Sequence, residues 1–460
     1  MLSDHTTPAT PSVNVTPDLA SRATGLLSRF YGYSTFRPLQ LDIIATAMEG
    51  RDSVVLMPTG GGKSICYQMP ALLSTGVVIV VSPLIALMKD QVTALASNGI
   101  PAAAVNSMQT EETNRDILEQ LFSGRVRILY ISPERLLTEI DRWSRDLNIA
   151  LFAIDEAHCI SQWGHDFRPG YTQLRRIKEV YPDVPVMALT ATADRLTRDD
   201  IATQLTLRDP RLFIGSFDRP NISLRVMTNP GKNQRINYIC SMIERYRNDS
   251  GIVYCLSRKT AEETDKQLRG RGYRSTVYHA GLSVSERNEA QDKFINGEVQ
   301  VVCATVAFGM GIDKSNIRWV VHNNMPRNIE CYYQEIGRAG RDGAMAEAVM
   351  FYSYGDIATL RSFVDESGQQ AINAEKLARM KEYSEASLCR RRILLSYFNE
   401  TMDHDCGNCD VCLDPPERID GTVLVLKALS AIVRINGAAG ITMLIDILRG
   451  MSRQELVQRG

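Results

Sequence analysis

The segment Met57-Pro-Thr-Gly-Gly-Gly-Lys-Ser64, called the phosphate loop below, follows an apolar run and precedes a helical stretch. Its glycines allow successive backbone N–H groups to point at phosphate oxygens, and a helix N-terminus adds to that attraction. We expect Lys63 to reach the β- and γ-phosphates of a nucleotide and Ser64 to coordinate Mg²⁺. Because Met57 replaces the first glycine of the strict pattern, a glycine-rich turn is an equal alternative for this segment taken alone. The other predicted nucleotide contacts in the loop are Thr59, Gly60, Gly61 and Gly62.

Two carboxylates, Asp155 and Glu156, directly follow the apolar run 150–154. Ligands of open α/β sheets bind at the carboxyl ends of the strands, so this pair and the phosphate loop should share one crevice. Asp155 suits the Mg²⁺ shell, and Glu156 suits orientation and deprotonation of an attacking water. Taken alone, two acidic residues at a strand end are more often a capping pair.

Short apolar runs alternate with helical stretches, which predicts two successive doubly wound α/β domains. Nearly continuous apolar runs indicate parallel strands that are buried on both faces. Gly, Asp and Pro cluster at 215–221, where we place the join, and helical periodicity replaces the strands after about residue 354. The predicted strands are 53–57, 77–81, 127–131, 150–154 and 186–190, and then 252–256, 275–278, 299–304, 319–322 and 348–352.

The composition is that of an ordinary globular protein of 460 residues, 44% hydrophobic and 23% charged. The net charge of −1 gives no global sign of a nucleic-acid partner, so any binding groove must be locally basic. No apolar run is long enough for a membrane span, which excludes a membrane partner. Residues 1–18 are rich in Thr, Pro and Ser, lack the apolar core of a secretory signal and are predicted to be a flexible tail.

The ten cysteines are therefore expected in a reducing compartment, where clustered thiols are more often metal ligands than disulfides. Two tight two-residue spacings and a fourth cysteine further upstream predict a closed, structural Zn²⁺ site. The ligands of this predicted site are Cys389, Cys406, Cys409 and Cys412. Free buried cysteines are the alternative, and the remaining six, which are scattered, are interpreted in that way. These six are Cys66, Cys159, Cys240, Cys255, Cys303 and Cys331.

Several longer segments resemble the RecQ family of superfamily-2 helicases from about residue 20 to the C-terminus. Upstream of the phosphate loop stands Phe30-Tyr-Gly-Tyr-Ser-Thr-Phe-Arg-Pro-Leu-Gln40, and after the acidic pair stands Cys159-Ile-Ser-Gln-Trp-Gly-His-Asp-Phe-Arg-Pro169. The second α/β block adds Tyr278-His-Ala-Gly-Leu282, Ala304-Thr-Val-Ala-Phe-Gly-Met-Gly-Ile-Asp-Lys314 and Tyr333-Gln-Glu-Ile-Gly-Arg-Ala-Gly-Arg-Asp-Gly343. The cysteine spacing also matches the zinc domain of that family and sets the chain apart from RNA helicases with a similar acidic motif.

The resemblance implies roles for the segments on either side of the phosphate loop and the acidic pair. Tyr33 and Arg37 would sandwich an adenine whose edge Gln40 bonds, although without the family such a trio is more often surface. The segment 159–169, called the aromatic-rich loop below, would stack on unpaired DNA bases, each contact contributing about 1–3 kcal/mol. Its alternative is a helix that buries its aromatic side chains in the core. The DNA contacts implied are Trp163, His165, Phe167 and Arg168.

In the family, the segment 333–343, called the arginine segment below, faces the nucleotide across an interlobe cleft. Arg338 and Arg341 stand three residues apart on one helix face, and Gln334 would sense the nucleotide or its water. An arginine on the γ-phosphate is worth about 10³–10⁵ in rate in other NTPases. The alternative is a pair of arginines that bond local carboxylates.

Smaller motifs carry further implications of the resemblance. Thr190-Ala-Thr192 would couple the nucleotide site to the rest of its lobe, while 82–84 and 132–134 resemble loops that grip the DNA backbone. Arg390, Arg391 and Arg392 would present positive charge to DNA, with a solvated surface as a close alternative.

Taken together, the resemblance implies two RecA-like lobes, at 19–215 and 216–353, a zinc domain at 354–418 and the start of a winged-helix domain at 419–460. The implied enzyme is a monomeric ATP-dependent DNA helicase that uses Mg²⁺, carries Zn²⁺, moves 3′→5′ and serves DNA repair and recombination. Its implied partner is single-stranded DNA and tailed or branched duplex, in the bacterial cytoplasm or the eukaryotic nucleus.

We expect the chain to end before the winged-helix hairpin that splits duplexes in this family. The alternatives are therefore a DNA-stimulated ATPase that translocates without robust unwinding, a DNA-binding scaffold, or an enzyme that acts on RNA. Protein partners cannot be named from these residues.

Overall fold

The first apolar block forms a seven-stranded sheet in the computed structural model, in which residues 13–143, 147–161, 167–309, 314–365, 369–417, 420–434 and 440–451 are described. The strand order is β3-β4-β2-β5-β6-β1-β7, and all neighbouring pairs given for it are parallel. The strands are β1 (Ser53–Leu56), β2 (Val77–Val81), β3 (Ala102–Val105), β4 (Ile128–Ile131), β5 (Ile149–Ile154), β6 (Val186–Thr190) and β7 (Arg211–Ile214).

The second apolar block forms a parallel sheet of six strands in the order β10-β11-β9-β12-β13-β8. In its centre a side chain on Gly251 would lie 1.9 Å from the Trp319 indole, so only glycine lets the large ring pack there. The strands are β8 (Ile222–Thr228), β9 (Ser250–Tyr254), β10 (Ser275–Tyr278), β11 (Val301–Ala304), β12 (Ile317–His322) and β13 (Ala346–Tyr352).

The predicted class of two doubly wound parallel sheets is confirmed, and each of the ten predicted strands overlaps an observed one. Three strands were missed. β3 reads Ala-Ala-Ala-Val, and alanine has little intrinsic preference for a strand. β7 and β8 flank the segment 215–221, whose Gly, Asp and Pro dominate the local pattern. The chain passes from the first sheet to the second between Ile214 and Ile222.

Helices cover both faces of the sheets, and many begin at a side-chain cap. Thr16 caps α1, so this helix starts inside the tail predicted for 1–18, and Ser283 with Glu286 forms a capping box on α12. The helices of the two lobes are α1 (Pro17–Tyr31), α2 (Gln40–Met48), α3 (Lys63–Leu73), α4 (Ile85–Ser97), α5 (Glu111–Phe122), α6 (Pro133–Trp143), α7 (Pro169–Thr172), α8 (Arg176–Val180), α9 (Arg195–Gln204), α10 (Lys232–Arg245), α11 (Arg258–Gly270), α12 (Val284–Ile295) and α13 (Ile329–Ile336).

Residues 354–413, called the zinc module below, contain four helices in their described part, and the first helix follows β13 directly. Lys376 donates to Glu330 at 2.7 Å in a largely buried ion pair, which joins this module to α13. Its helices are α14 (Tyr354–Asp365), α15 (Gln370–Glu385), α16 (Arg390–Tyr397) and α17 (Asp410–Leu413).

A second compact unit, Asp414–Gly460, contains α18 (Thr422–Arg434) and α19 (Ile441–Leu448), which pack against each other. Of the helices given above, none has the length and apolar content that crossing a membrane requires.

Candidate active site and metal centre

The phosphate loop curls between β1 and α3 with a backbone that only glycine adopts easily. Gly60 and Gly62 have φ values of +80° and +84°, in the left-handed region. A side chain on Gly62 would also lie 2.4 Å from Nε2 of Gln40. Lys63 is the first residue of α3, and its Nζ donates to the main-chain oxygen of Met57 at 3.0 Å. The loop is thus already curled around its lysine.

Three charged side chains lie together beside this loop. Burial lowers the pKa of Lys63, and the nearby carboxylates of Glu156 and Asp155 act in the opposite direction. Burial and the Glu156 charge raise the pKa of Asp155 to about 7, while Lys63 opposes that rise. A cation beside Asp155 and Glu156 with a higher charge than the Lys63 ammonium would favour the ionised form of both carboxylates. The donor set is therefore suited to a divalent metal.

Ser64 and Asp155, the two predicted Mg²⁺ ligands, both affect the pKa of the buried Tyr67 hydroxyl, Ser64 through a hydrogen bond and Asp155 through its charge. Burial comes first among the causes that raise the pKa of Tyr67, followed by neighbours that include Asp155. A hydroxyl and a carboxylate are hard oxygen donors of the kind that Mg²⁺ takes alongside phosphate oxygens and water. The residues present fit the ion.

Glu156 occupies a left-handed backbone conformation, with φ +49°, directly before a short 3₁₀ turn, Ala157–Ile160. For a residue with a side chain this conformation costs of order 1–3 kcal/mol, and such strain clusters at functional sites. His158 on this turn is buried, with Nδ1 3.4 Å from Glu156 and 2.9 Å from the Thr190 hydroxyl at the end of β6. The Tyr171 hydroxyl donates to the main-chain oxygen of Asp155 at 3.2 Å. The last two contacts were not predicted from the sequence.

The predicted adenine-binding trio lies before and at the start of α2. The Gln40 side chain accepts from Arg37 N at 2.8 Å and donates to the Gly62 carbonyl at 3.0 Å. Arg37 donates a short hydrogen bond to the Gly60 carbonyl. Tyr33 is 56% exposed. Two of the three side chains thus contact the phosphate loop, and Tyr33 is exposed to solvent.

The arginine segment of the second lobe packs on the phosphate loop of the first. A side chain on Gly337 would lie 3.3 Å from Cβ of Thr59, and one on Gly60 would lie 3.5 Å from Cγ of Arg341. The Arg341 charge also lowers the pKa of Lys63. This brings Arg341, Lys63 and the two carboxylates into one cleft between the lobes.

The other two predicted residues of this segment are placed differently. Arg338 is only 2% exposed, and it acts on the buried Tyr254 of the second lobe. Gln334 is half-buried on the last turn of α13. The sequence spacing put both arginines on one helix face, but α13 ends at Ile336 and the segment turns after it.

Arg219 was missed because it lies in the segment 215–221, called the interlobe segment below, whose Gly, Asp and Pro residues predict only a join between domains. Its guanidinium donates to the Thr59 carbonyl at 2.7 Å and to the Gly340 carbonyl at 2.9 Å. It therefore bonds the phosphate loop and the arginine segment together. The only sequence signal was a charged residue within a Gly- and Pro-containing linker.

Of the four predicted DNA contacts, Trp163 and His165 lie outside the described residues. Phe167 lines a cavity of about 370 Å³ together with residues of the second lobe and of the zinc module. Arg168 donates to the Pro83 carbonyl at 3.0 Å. This bond joins the aromatic-rich loop to 82–84, one of the two segments that resemble loops gripping the DNA backbone. The described part of this loop thus contacts the first lobe through Arg168 and lies beside residues of the second lobe through Phe167.

The four predicted zinc ligands converge, with their sulfur atoms all within 4.8 Å of one another. The Cys409 and Cys412 sulfurs are 3.4 Å apart, and Cys406 N donates to the Cys389 sulfur at 3.3 Å. Four thiols this close can form a tetrahedral site, and such a set without an open position suits structural Zn²⁺. The residues present fit the ion.

The expectation that the three arginines after Cys389 present charge to DNA is wrong for two of them. Arg390 is buried and pairs with Asp410, at 3.0 Å, and Arg391 is buried and pairs with Asp218, at 2.7 Å. Only Arg392 is half exposed, in an ion pair with Asp405. The helix turns the first two inward because the module packs on the interlobe segment and on β8.

Four family models match consecutive parts of the chain. They are the DEAD/DEAH box helicase at residues 37–200, the helicase conserved C-terminal domain at 234–343, RecQ zinc-binding at 354–413 and the RQC domain at 415–460. Together with the four converging sulfurs, the third match confirms the prediction of a zinc-binding module.

Curated relatives are similar over most of the chain. The ATP-dependent DNA helicase RecQ of Pasteurella multocida is 47% identical over 95% of this chain and 70% of its own length. RecQ of Bacillus subtilis is 42% identical over 95% of this chain and 75% of its own length.

Solved structures share the fold at low sequence identity. A Mycobacterium smegmatis helicase Lhr structure has a TM-score of 0.58 at 18% identity, covering 83% of this chain and 55% of that one. The DEAD-box helicase Mss116 has a TM-score of 0.61 at 16% identity, covering 77% of each chain.

Proposed function

The chain belongs to the RecQ family of DNA helicases, and on that premise we propose that it hydrolyses ATP to translocate on single-stranded DNA and to separate duplex strands. We propose 3′→5′ movement and a role in DNA repair and recombination, in keeping with the family. A monomer that acts in the bacterial cytoplasm, or in the nucleus of a eukaryote, completes the proposal.

The observation that carries this proposal is the meeting of two lobes at one phosphate loop. Lys63, Asp155 and Glu156 come from the first lobe, and Arg341 comes from the second, beside Gly60. A nucleotide bound between them would be contacted from both sides, so its binding and hydrolysis would change the preferred spacing of the lobes. A motor requires that coupling.

Each side chain has a proposed task in hydrolysis. Lys63 would leave the Met57 carbonyl to bind the β- and γ-phosphates, while Ser64 and Asp155 would hold Mg²⁺, which when bound neutralises phosphate charge. Glu156 would orient the attacking water and take its proton. Arg341 would stabilise charge that develops on the γ-phosphate, with Gln334 and Arg338 as further members of the segment.

The contacts to DNA and adenine are also proposals. The loop that carries Phe167 and Arg168, together with Trp163 and His165, would stack on and grip the translocated strand. Tyr33 would stack on adenine with Arg37 and Gln40 beside it. For the parts of the chain, we propose lobes at 19–215 and 216–353, a zinc domain at 354–418 and a winged-helix segment at 419–460, after a tail at 1–18.

The first experiment measures displacement of a labelled strand from a duplex with a 3′ single-stranded tail, with ATP and Mg²⁺, and DNA-stimulated ATP hydrolysis in the same tube. Displacement that requires ATP supports a helicase. Hydrolysis without displacement means a translocase that does not unwind. Stimulation by RNA that equals stimulation by DNA would contradict the proposed substrate.

A matched pair of variants tests the assignment of the phosphate loop. Lys63→Ala should lower ATP turnover by at least about 10²-fold because it removes a charge aimed at the transferred phosphate. Single-stranded DNA binding, measured by fluorescence anisotropy, should stay within about 3-fold. Lys266→Ala, at an exposed lysine on α11, should change neither quantity. If Lys63→Ala abolished DNA binding and spared hydrolysis, the assignment would be wrong.

A further inference from the structure

The side chain of Arg219 forms a bridge across the cleft between the lobes. One nitrogen, Nη1, donates to the Thr59 carbonyl of the phosphate loop at 2.7 Å and to the Gly337 carbonyl at 3.3 Å. The other, Nη2, donates to the Ala339 and Gly340 carbonyls at 3.1 and 2.9 Å. A guanidinium offers several N–H donors in a fixed plane, so one side chain can hold two backbone segments at a set distance.

The bridge lies directly beside the residues that would act on the nucleotide. A side chain on Gly60 would meet Nη1 of Arg219 and Cγ of Arg341, each at 3.5 Å. Desolvation lowers the pKa of Arg219, and the four groups that its guanidinium bonds are neutral carbonyls rather than carboxylates. A partly buried cation bonded to neutral carbonyls is costly, and a replacement could not reproduce its geometry. Arg219 thus bonds Gly340 and Thr59, the residues that directly precede Arg341 and Gly60 in the chain.

The zinc module holds the backbone that carries this bridge. Arg391 donates to Asp218 at 2.7 Å, to the Ile222 carbonyl at 2.6 Å and to the carbonyl of Arg219 itself. Asn408, between the two zinc-site residues Cys406 and Cys409, donates to the Pro220 carbonyl at 2.9 Å. The segment is therefore bonded on both sides of Arg219.

Two further contacts fix the start of the same segment. Glu400 accepts from the Ser216 hydroxyl at 2.6 Å and from Phe217 N at 2.7 Å. The Phe217 ring stacks on Phe398 with a centroid distance of 4.5 Å and an interplanar angle of 7°. The zinc module thus holds the connection between the lobes over most of its length.

We propose that Arg219 is a positioning residue for ATP hydrolysis, which sets Arg341 against the phosphate loop, and that the zinc module presents it through Arg391 and Asn408. The inference rests on the proposed ATPase activity and adds a route by which the zinc site acts on it. A substitution of Asn408 should therefore impair hydrolysis, although it changes no zinc ligand and no nucleotide contact.

The first test compares Arg219→Ala, Arg219→Lys and Arg225→Ala by steady-state DNA-stimulated ATP hydrolysis. Arg219→Ala should lower kcat by about 10²-fold, the loss expected when a reacting group is displaced by about 1 Å, with KM for ATP within about 3-fold. Arg219→Lys keeps the charge but cannot span four carbonyls, so kcat should recover only in part. Arg225 is exposed on β8, and Arg225→Ala should behave as the wild type.

The second test uses Asn408→Ala, which keeps all four cysteines. Zinc content, measured with a chromogenic chelator after denaturation, should remain one per chain, while kcat falls about 10-fold. Combined with Arg219→Ala, it should cause no further loss, because both variants break one path. Thermal unfolding of each variant distinguishes a local change from loss of the fold, and Arg219→Lys serves if Arg219→Ala unfolds.

Three results have distinct meanings. A kcat within about 3-fold of wild type for both Arg219 variants, with Lys63→Ala inactive, would overturn the inference and leave the proposed function intact. Losses for Asn408→Ala and Arg219→Ala that multiply would show that the zinc module does not act through Arg219. If the wild-type chain with DNA hydrolyses no ATP, the proposed function fails, and the inference fails with it.

Discussion

Nδ1 of His158 lies 2.9 Å from the hydroxyl oxygen of Thr190, and the same oxygen accepts from Thr192 N at 3.2 Å. Both His158 and Thr190 are fully buried. The contact joins the turn that follows Asp155 and Glu156 to the carboxyl end of β6. A shift of the acidic pair during hydrolysis would therefore reach the Thr190–Thr192 motif directly.

Thr190→Val should uncouple hydrolysis from strand separation. Valine has nearly the shape of threonine but cannot bond His158, and an unsatisfied buried group costs about 1–3 kcal/mol. We expect ATP hydrolysis to stay within about 3-fold, while base pairs opened per ATP fall about 10-fold. Parallel displacement and hydrolysis assays give this ratio. Thr190→Ser keeps the hydroxyl and should restore coupling, and an unchanged ratio for Thr190→Val would contradict the role.

Arg341 and Arg338 should respond differently to replacement by alanine. Arg341→Ala should lower kcat by about 10³-fold with nucleotide binding largely kept, because it removes charge stabilisation from the transition state. Arg338→Ala should instead lower the thermal unfolding temperature, since it removes a side chain that is 2% exposed. Arg361→Ala, at an exposed position on α14, is the control for both. A loss of kcat for Arg338→Ala at unchanged stability would assign it a direct role.

Loss of zinc should weaken the zinc module and the interlobe segment together. Cys409→Ser removes a thiolate from the cluster, and most of the binding free energy of structural zinc, about 10–16 kcal/mol in finger peptides, is folding free energy. We expect loss of bound zinc, protease cleavage within residues 354–413 and faster hydrogen exchange at 215–221. Cys240→Ser, outside the cluster, should keep the metal and the protection. Unchanged exchange at 215–221 in the zinc-free chain would separate the two regions.

Asp52 should matter for the stability of the first lobe. Its carboxylate accepts from buried Lys178 at 2.8 Å and from the main-chain N–H groups of Val186 and Arg208, each at 2.8 Å. Asp52→Ala leaves a buried lysine without its ion pair, which should cost about 3–5 kcal/mol in the free energy of unfolding. Urea denaturation followed by circular dichroism measures this cost. Adding Lys178→Met should recover part of the lost free energy of unfolding. If it recovers none, the loss comes from the two missing hydrogen bonds to the main-chain N–H groups of Val186 and Arg208.

Local patterns were enough to predict the two sheets and the grouping of the four cysteines. Buried parallel strands require nearly continuous apolar runs, and two two-residue spacings bring thiols together wherever the module lies. By contrast, the run Ala102–Val105 forms the edge strand beside β4 only because the chain returns to that edge of the sheet. No local preference indicates such a return.

The direction of individual side chains could not be predicted from the same patterns. Arg390 and Arg391 stand in a basic run whose sequence is compatible with a DNA-facing surface and with a solvated surface. Packing of α16 against the interlobe segment turns both inward, toward Asp410 and Asp218. Arg338 and Arg341 share a helical spacing, but α13 ends before either. Arg341 lies beside Gly60 of the phosphate loop, whereas Arg338 is buried and acts on Tyr254.

The sequence by itself determined the fold class, the family resemblance and the residue types suited to a nucleotide and a metal, because these depend on short spacings within one strand–loop–helix unit or one cysteine cluster. Only the tertiary structure decided that Arg219 bridges the two lobes and that the zinc module holds it. Arg219 is 160 residues from Thr59 and 172 from Arg391, and contacts over such distances arise when whole lobes and modules pack.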